Sequence, residues 1–188
     1  MQKNYLESLD KQFRYYKMLG ERTMAQLTDE QLLWRPSPEG NSIGTIVHHL
    51  SGNMLSRFTH FLSTDGEKPW RQRDLEFEPV SCDRHKIFEV WEAGWATVFE
   101  AMQTVEGEDL EQVIYIRNQG HTIVEAFNRQ STHYAYHIGQ MVLIGKTLKK
   151  EDWSSLSIPK VQSAEYNSNK FRSQKSTEHY TKEWMEKN

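Results

Sequence analysis

The 188-residue chain predicts an all-α fold, a four-helix bundle. Three observations carry that expectation. Four long stretches repeat apolar residues at the 3, 4, 7 spacing that lines one face of a helix. Capping residues and glycine or proline breaks separate those stretches. Only one long connection interrupts them, between the second and the third, as bundle topologies allow.

Leu6, Leu9, Phe13, Tyr16 and Leu19 mark a first helix over roughly residues 3–27. Thr28 and Gln31 form a capping box for a short turn of helix ending near Trp34. Pro36, Pro38 and Gly40 break the chain, and Asn41 or Ser42 caps a second long helix. Its apolar face runs from Ile43 through Ile46, Leu50, Met54 and Phe58 to Leu62, with an end expected near Thr64. A charged loop follows over 65–80. Ser81 or Asp83 starts the third long helix, whose face carries Ile87, Trp91, Trp95, Val98 and Met102. The β-branched and aromatic run 113–116 reads as a short strand. Asn118 to Gly120 supplies a turn, and residues 121–123 pair back to complete a β-hairpin. Thr122 and Glu125 form a second capping box, opening a helix that runs to about Lys149. Residues 156–159 (LSIP) read as a docked extended segment. The expected division is a bundle over 1–160 and a polar, mobile tail over 161–188, with one short helix near 179–185.

Composition excludes several classes. The net charge is −3 and no long basic run occurs, so nucleic acid is not expected as a partner. No apolar run approaches the roughly 18 residues that cross a bilayer, so no membrane partner is expected. The start of the chain lacks a signal-like apolar segment, and Cys82 is the single cysteine. Both point to a reduced, cytoplasmic setting. Nucleophile-elbow, phosphate-loop, C-x-x-C and H-E-x-x-H motifs are all absent.

The histidines carry the chemistry. His133 and His137 lie four residues apart in a strongly helical stretch, so their imidazoles stack on one face, the face of Tyr134, Met141 and Ile144. Two buried imidazoles are costly without partners, which favours a shared metal ion over two separate core histidines. A third ligand comes from His48 or His49 in the second long helix. The helical wheel sets His49 beside Ile46, Leu50 and Asn53, and turns His48 about 100° away, so His49 is preferred. Three imidazoles leave open positions on an ion, as catalysis requires.

Other candidates have weaker patterns. Asn53 and Arg57 follow His49 by one and two turns, and line the same cavity or form a polar helix edge, with nothing to separate the two readings. Tyr134 and Arg129 are further candidates for orienting a substrate. Glu76 and Glu78 are read as a solvated loop face in preference to a ligand or general base. His60, His85, His121 and His179 read as surface residues, and Cys82 as unreactive.

Three segments resemble the DinB/YfiT-like superfamily of candidate metalloenzymes, and within it a bacterial branch of unassigned activity. They are 41–54 (NSIGTIVHHLSGNM), 64–71 (TDGEKPWR) and 128–140 (NRQSTHYAYHIGQ), with 156–159 a fourth similar piece. The resemblance covers about residues 5–160. It implies a bundle with up-down-down-up helix order and a divalent metal site of His49, His133 and His137, holding zinc or nickel. It also implies a homodimer, and in some relatives S-transfer or isomerisation with a low-molecular-weight thiol.

Three functional readings follow. The first is a metal-dependent enzyme acting on a small-molecule substrate, most like a thiol-dependent S-transferase. The second is a hydrolase using the same site. The third is a non-enzymatic binding bundle in which a metal only stabilises the fold.

Overall fold

The computed structural model describes residues 2–78 and 83–186. It is mostly helical. Among the described residues, seven α-helices surround or flank one core, and a single two-stranded sheet sits between the fourth and fifth helices. The helices are α1 (Gln2–Ala25), α2 (Asp29–Leu33), α3 (Ile43–Phe58), α4 (Arg84–Gln103), α5 (Ile123–Lys149), α6 (Ser163–Arg172) and α7 (Lys182–Glu186).

Helix starts follow local chemistry. The Thr28 and Thr122 capping boxes both form, the second with Glu125 Oε2 accepting from the Thr122 amide at 2.8 Å. Ser42 caps α3 by accepting from the Thr45 amide at 3.1 Å. Asp83 caps α4 through the His85 amide at 2.9 Å. Ser81 and Cys82, the alternative start and the lone thiol, lie outside the described residues.

The four long helices share the core. α3 packs chiefly on α4, and α1 on α5. Phe13 of α1 meets Trp95 of α4 and Tyr134 of α5 at ring distances of 6.1 and 5.5 Å. Gly94 sets how closely α4 approaches α3: a Cβ there would lie 3.0 Å from the Ser51 Cα, so any side chain would force the helices apart. No described helix is long and apolar enough to cross a membrane.

Four expectations need correction. α3 stops at Phe58 rather than near Thr64, because Thr59 leaves helical geometry and His60 adopts φ 50°. The chain then turns, so Phe61 still reaches the core beside Phe58 and Phe127. The hairpin has a different register. β1 (Val113–Ile116) and β2 (Gln119–Thr122) are joined by Arg117 and Asn118 alone, both at positive φ, as a tight two-residue turn requires. Gly120 is therefore a strand residue opposite Tyr115.

The loop after α3 is not merely solvated. It folds a 3-10 turn, Arg73–Phe77, against α3, so α3 is buried on almost every side. Residues beyond 160 carry two helices where one was expected. They also contact α1: His179 Nε2 lies 3.2 Å from Ser8 Oγ, and the Tyr180 ring lies 6.0 Å from Tyr15. Just before the 156–159 segment the chain is tied to the end of α1: the Gln26 side-chain amide pairs with both backbone groups of Ser154, at 2.8 and 3.2 Å.

Candidate metal centre

His49 projects from α3, and His133 and His137 from α5. The helical period brings the latter two rings to 4.8 Å of each other. Packing of α3 against α5 then adds His49, at ring distances of 5.3 Å to His133 and 4.9 Å to His137. One nitrogen from each ring lies within 4.8 Å of the other two.

The closest pair is His49 Nε2 and His133 Nε2, at 3.2 Å. Two imidazole nitrogens on one tetrahedral ion, each about 2.0–2.1 Å from it, stand about 3.3 Å apart. The donor set is all imidazole, which suits zinc, nickel or copper better than a hard cation such as magnesium. These residues could hold a metal ion.

Two of the three rings are fixed from behind. His49 Nδ1 lies 2.9 Å from Glu76 Oε2, and His137 Nδ1 lies 3.0 Å from Gln140 Oε1. Each partner accepts a proton on Nδ1 and so leaves Nε2 with its lone pair facing the cluster. Glu76 is itself held. Arg71 donates to it through Nε at 2.8 Å and Nη2 at 2.9 Å. Burial raises the Glu76 carboxyl, but the His49 and Arg71 hydrogen bonds outweigh it and hold the group below its ordinary value. A Cβ on Gly52, one turn beyond His49, would strike the Glu76 carboxylate, so the glycine is what lets Glu76 reach His49.

Burial holds two of the imidazoles, His133 and His137, in the neutral form. Burial, reinforced by His137 and His49 and then by Arg57 and Arg71, pushes His133 down to about 3. Burial and the neighbouring His49 push His137 down to about 4, against the hydrogen bond it donates to Gln140. Neutral imidazole is the metal-binding form, so no proton must be displaced from these rings near neutral pH.

A cavity of about 220 Å³ opens on one side of the cluster. Its walls include His49, His133, Asn53, Arg57 and Arg129, so both readings of Asn53 and Arg57 resolve in favour of the cavity. Tyr134 is elsewhere: it is wholly buried, with its ring 5.4 Å from Trp95, and it is not part of the wall. Burial pushes its phenol far up, and its hydroxyl has no hydrogen-bond partner among the described residues. Trp70 is exposed and also not part of the wall. Glu76 corrects the loop reading. It is 9% exposed and serves as the anchor of His49, whereas Glu78 is solvated as expected. His60 and His85 are exposed; His121 is half-buried and pairs with Arg129.

Sequence reasoning passed over Arg71, Gln130, Gly52 and Gln140. Gln140 had a signal, since it follows His137 by three residues on the same helix face. Gly52 had a weaker one, a residue without a side chain one turn from a proposed ligand. Arg71 had none, because only loop folding brings it to α3, and for the same reason Glu76, weighed as a ligand or base, read as solvated.

The fold and the cluster define a mostly helical protein with a buried tri-histidine group that could hold a metal ion. The chain belongs to the DUF1572 family, described as a protein family of unknown function, whose match spans residues 1–162. No curated protein matches the sequence.

Proposed function

We propose that the protein is a divalent-metal-dependent enzyme acting on a small molecule, with His49, His133 and His137 as the ligands of one zinc or nickel ion and thiol-dependent S-transfer as the reaction class. The four long helices are read as an up-down-down-up bundle that supplies the ligands from two of its members. The observation that carries the reading is the geometry of the histidines: Nε2 of His49 and His133 stand 3.2 Å apart beside a cavity, with Glu76 fixing His49 from behind. Among the described residues the cluster contains no fourth protein ligand, which is the pattern of a site that keeps a position for substrate.

A bound divalent ion supplies Lewis acidity, lowering the pKa of a thiol or water at its open position. The chain supplies the rest. Glu76 and Gln140 set the ring tautomers, and the buried α3–α5 contact holds the nitrogens in place. Arg57 and Asn53 lie at the cavity wall, where they can orient a substrate.

The test has two stages. Elemental analysis of tag-free protein is expected to find about one divalent ion per chain, lost in His133→Ala/His137→Ala. Metal-loaded protein is then assayed for conjugation of electrophiles with small thiols, beside thiol-independent ester and amide hydrolysis. Thiol-dependent turnover supports the proposal, and hydrolysis without thiol moves the reaction class. Protein that takes up neither zinc nor nickel ends the metalloenzyme reading.

A further inference from the structure

The geometry points to an anion-binding subsite in the wall of the histidine cavity, one that docks a carboxylate or phosphate group of the substrate beside the metal position. The inference rests on the metalloenzyme reading only in calling the ligand a substrate; the subsite itself is built from the chain's own donors.

Five arginines line the cavity: Arg57 from α3, Arg71 and Arg73 from the loop, Arg117 from the hairpin turn and Arg129 from α5. No aspartate or glutamate is part of that lining. The carboxylates that compensate them stand behind the wall and are shared. Glu67 serves Arg57 at 3.0 Å, Arg117 at 3.1 Å and Arg71 at 3.5 Å. Glu76 serves Arg71 alone among the arginines. Among the described residues the carboxylate paired with Arg73 is the fully exposed Asp74 at 3.8 Å, a pair that water screens. Arg129 has no carboxylate partner among the described residues, and its Nη1 lies 3.1 Å from His121 Nε2. The wall is thus positive before any metal binds, and a cleft with low-dielectric sides concentrates that field.

A second observation indicates an absent ligand rather than mere charge. Asn53 and Gln130 are 6% and 3% exposed, line this cavity, and have buried amide oxygens with no hydrogen-bond partner among the described residues. The Nε of Arg57, 5% exposed and in the same wall, is a buried donor with no acceptor among the described residues. A buried polar atom left unpaired is costly, so three on the residues of one cavity wall mark a place where a partner belongs. Which end of each amide carries the NH₂ group follows from its hydrogen-bond partner, so an anion in the cavity would draw the NH₂ groups inward. The wall then offers guanidinium and amide donors and no negative charge. Oxyanions with several acceptor atoms match that set, and guanidinium takes carboxylate and phosphate in two-point contact. Cations and neutral apolar groups do not match it.

Isothermal titration of the full-length protein, metal-free and zinc-loaded, with inorganic phosphate and with succinate at low ionic strength tests this. The expected result is binding of at least one anion to both forms. Arg73→Ala/Arg129→Ala, whose guanidiniums bear no buried ion pair, is expected to weaken it at least fivefold. Gln130→Glu, which keeps the side-chain size but adds a carboxylate to the wall, is expected to weaken it more than tenfold. Both variants should bind zinc as the parent does, and a thermal transition confirms that each is folded. If one fails to fold, the other carries the test. Anion binding that appears only with zinc and ignores both variants would mean a metal ligand and overturn the subsite, as would no binding at all. Anion binding to protein that takes up no metal would keep the subsite and sink the metalloenzyme reading instead.

Discussion

Glu76 reaches His49 across 27 residues of sequence, with its Oε2 at 2.9 Å from the imidazole Nδ1. A loop carboxylate thereby fixes the orientation of a histidine on a buried helix. The pair is closed on the far side by Arg71, whose side chain is 2% exposed. Removing the charge of Glu76 leaves that buried guanidinium with only the longer 3.5 Å pair to Glu67, and weakening a buried pair from one side is costly. Glu76→Gln is therefore expected to lower metal affinity roughly 10–100-fold, the usual effect of losing such an outer partner. Competition with a chromogenic chelator measures it, and unchanged affinity would remove Glu76 from the site.

Gly52→Ala probes the same contact from the other side. The new Cβ would stand 2.7 Å from the Glu76 Cδ and closer still to its carboxylate. Arg71 and His49 pin that carboxylate, so it cannot swing aside without losing them. The expected outcome is a helical, folded protein whose metal affinity falls to the level of Glu76→Gln. Combining both changes should add little, because they act through one contact.

Acid should destabilise the metal-free protein in a defined window. His133 and His137 stay neutral in the fold down to about 3 and 4, whereas in the unfolded chain each protonates near about 6.5. The folded values are the lower ones, so between them the unfolded state binds more protons. Stability is then full above pH ~6.5 and falls as pH drops toward 4, by up to about 1.4 kcal/mol per pH unit for each histidine. Urea unfolding over a pH series reads the slope. His133→Ala/His137→Ala should flatten it, and a slope the variant leaves intact would belong to other groups.

Metal binding should also appear as stability. An ion that binds the fold and not the unfolded chain adds about 2.7 kcal/mol at a hundredfold excess over its dissociation constant. Zinc or nickel is expected to raise the melting temperature, and EDTA to reverse the gain. The double histidine variant should respond to neither, and a response equal to the parent's would place the ion elsewhere.

Asp65 ties the hairpin to the loop. Its carboxylate accepts from the amides of Glu67, Arg117 and Asn118 at 2.7, 2.8 and 2.8 Å. Those bonds hold it below the ordinary aspartate value despite the opposing effect of burial. Asp65→Ala is expected to cost about 1–3 kcal/mol. Amide hydrogen exchange at Arg117 and Asn118 should quicken first, because their protection depends on this residue. Unchanged exchange there would refute the tie.

Much of the architecture follows from local sequence. The apolar spacing of Phe13, Leu50, Trp91 and Ile138, and the caps at Thr28, Ser42, Asp83 and Thr122, act within one or two helical turns, so they can be read without a fold. The pairing of His133 with His137 is of the same kind, since one helix carries both. His49 could be preferred over His48 because helical phase alone separates them. Contacts between elements could not be read this way. Glu76 looked like one charge among many in a polar loop, and only the folding of that loop onto α3 buries it against His49. The two-residue register of the hairpin depends on Arg117 accepting a positive φ, which Asp65 helps to hold from 52 residues away. The arginine wall shows no basic run in the sequence because its members come from α3, the loop, the hairpin and α5. Periodicity and capping act along the chain and are written into it; the gathering of charges around a cavity depends on which surfaces pack together, and tertiary structure alone decides that.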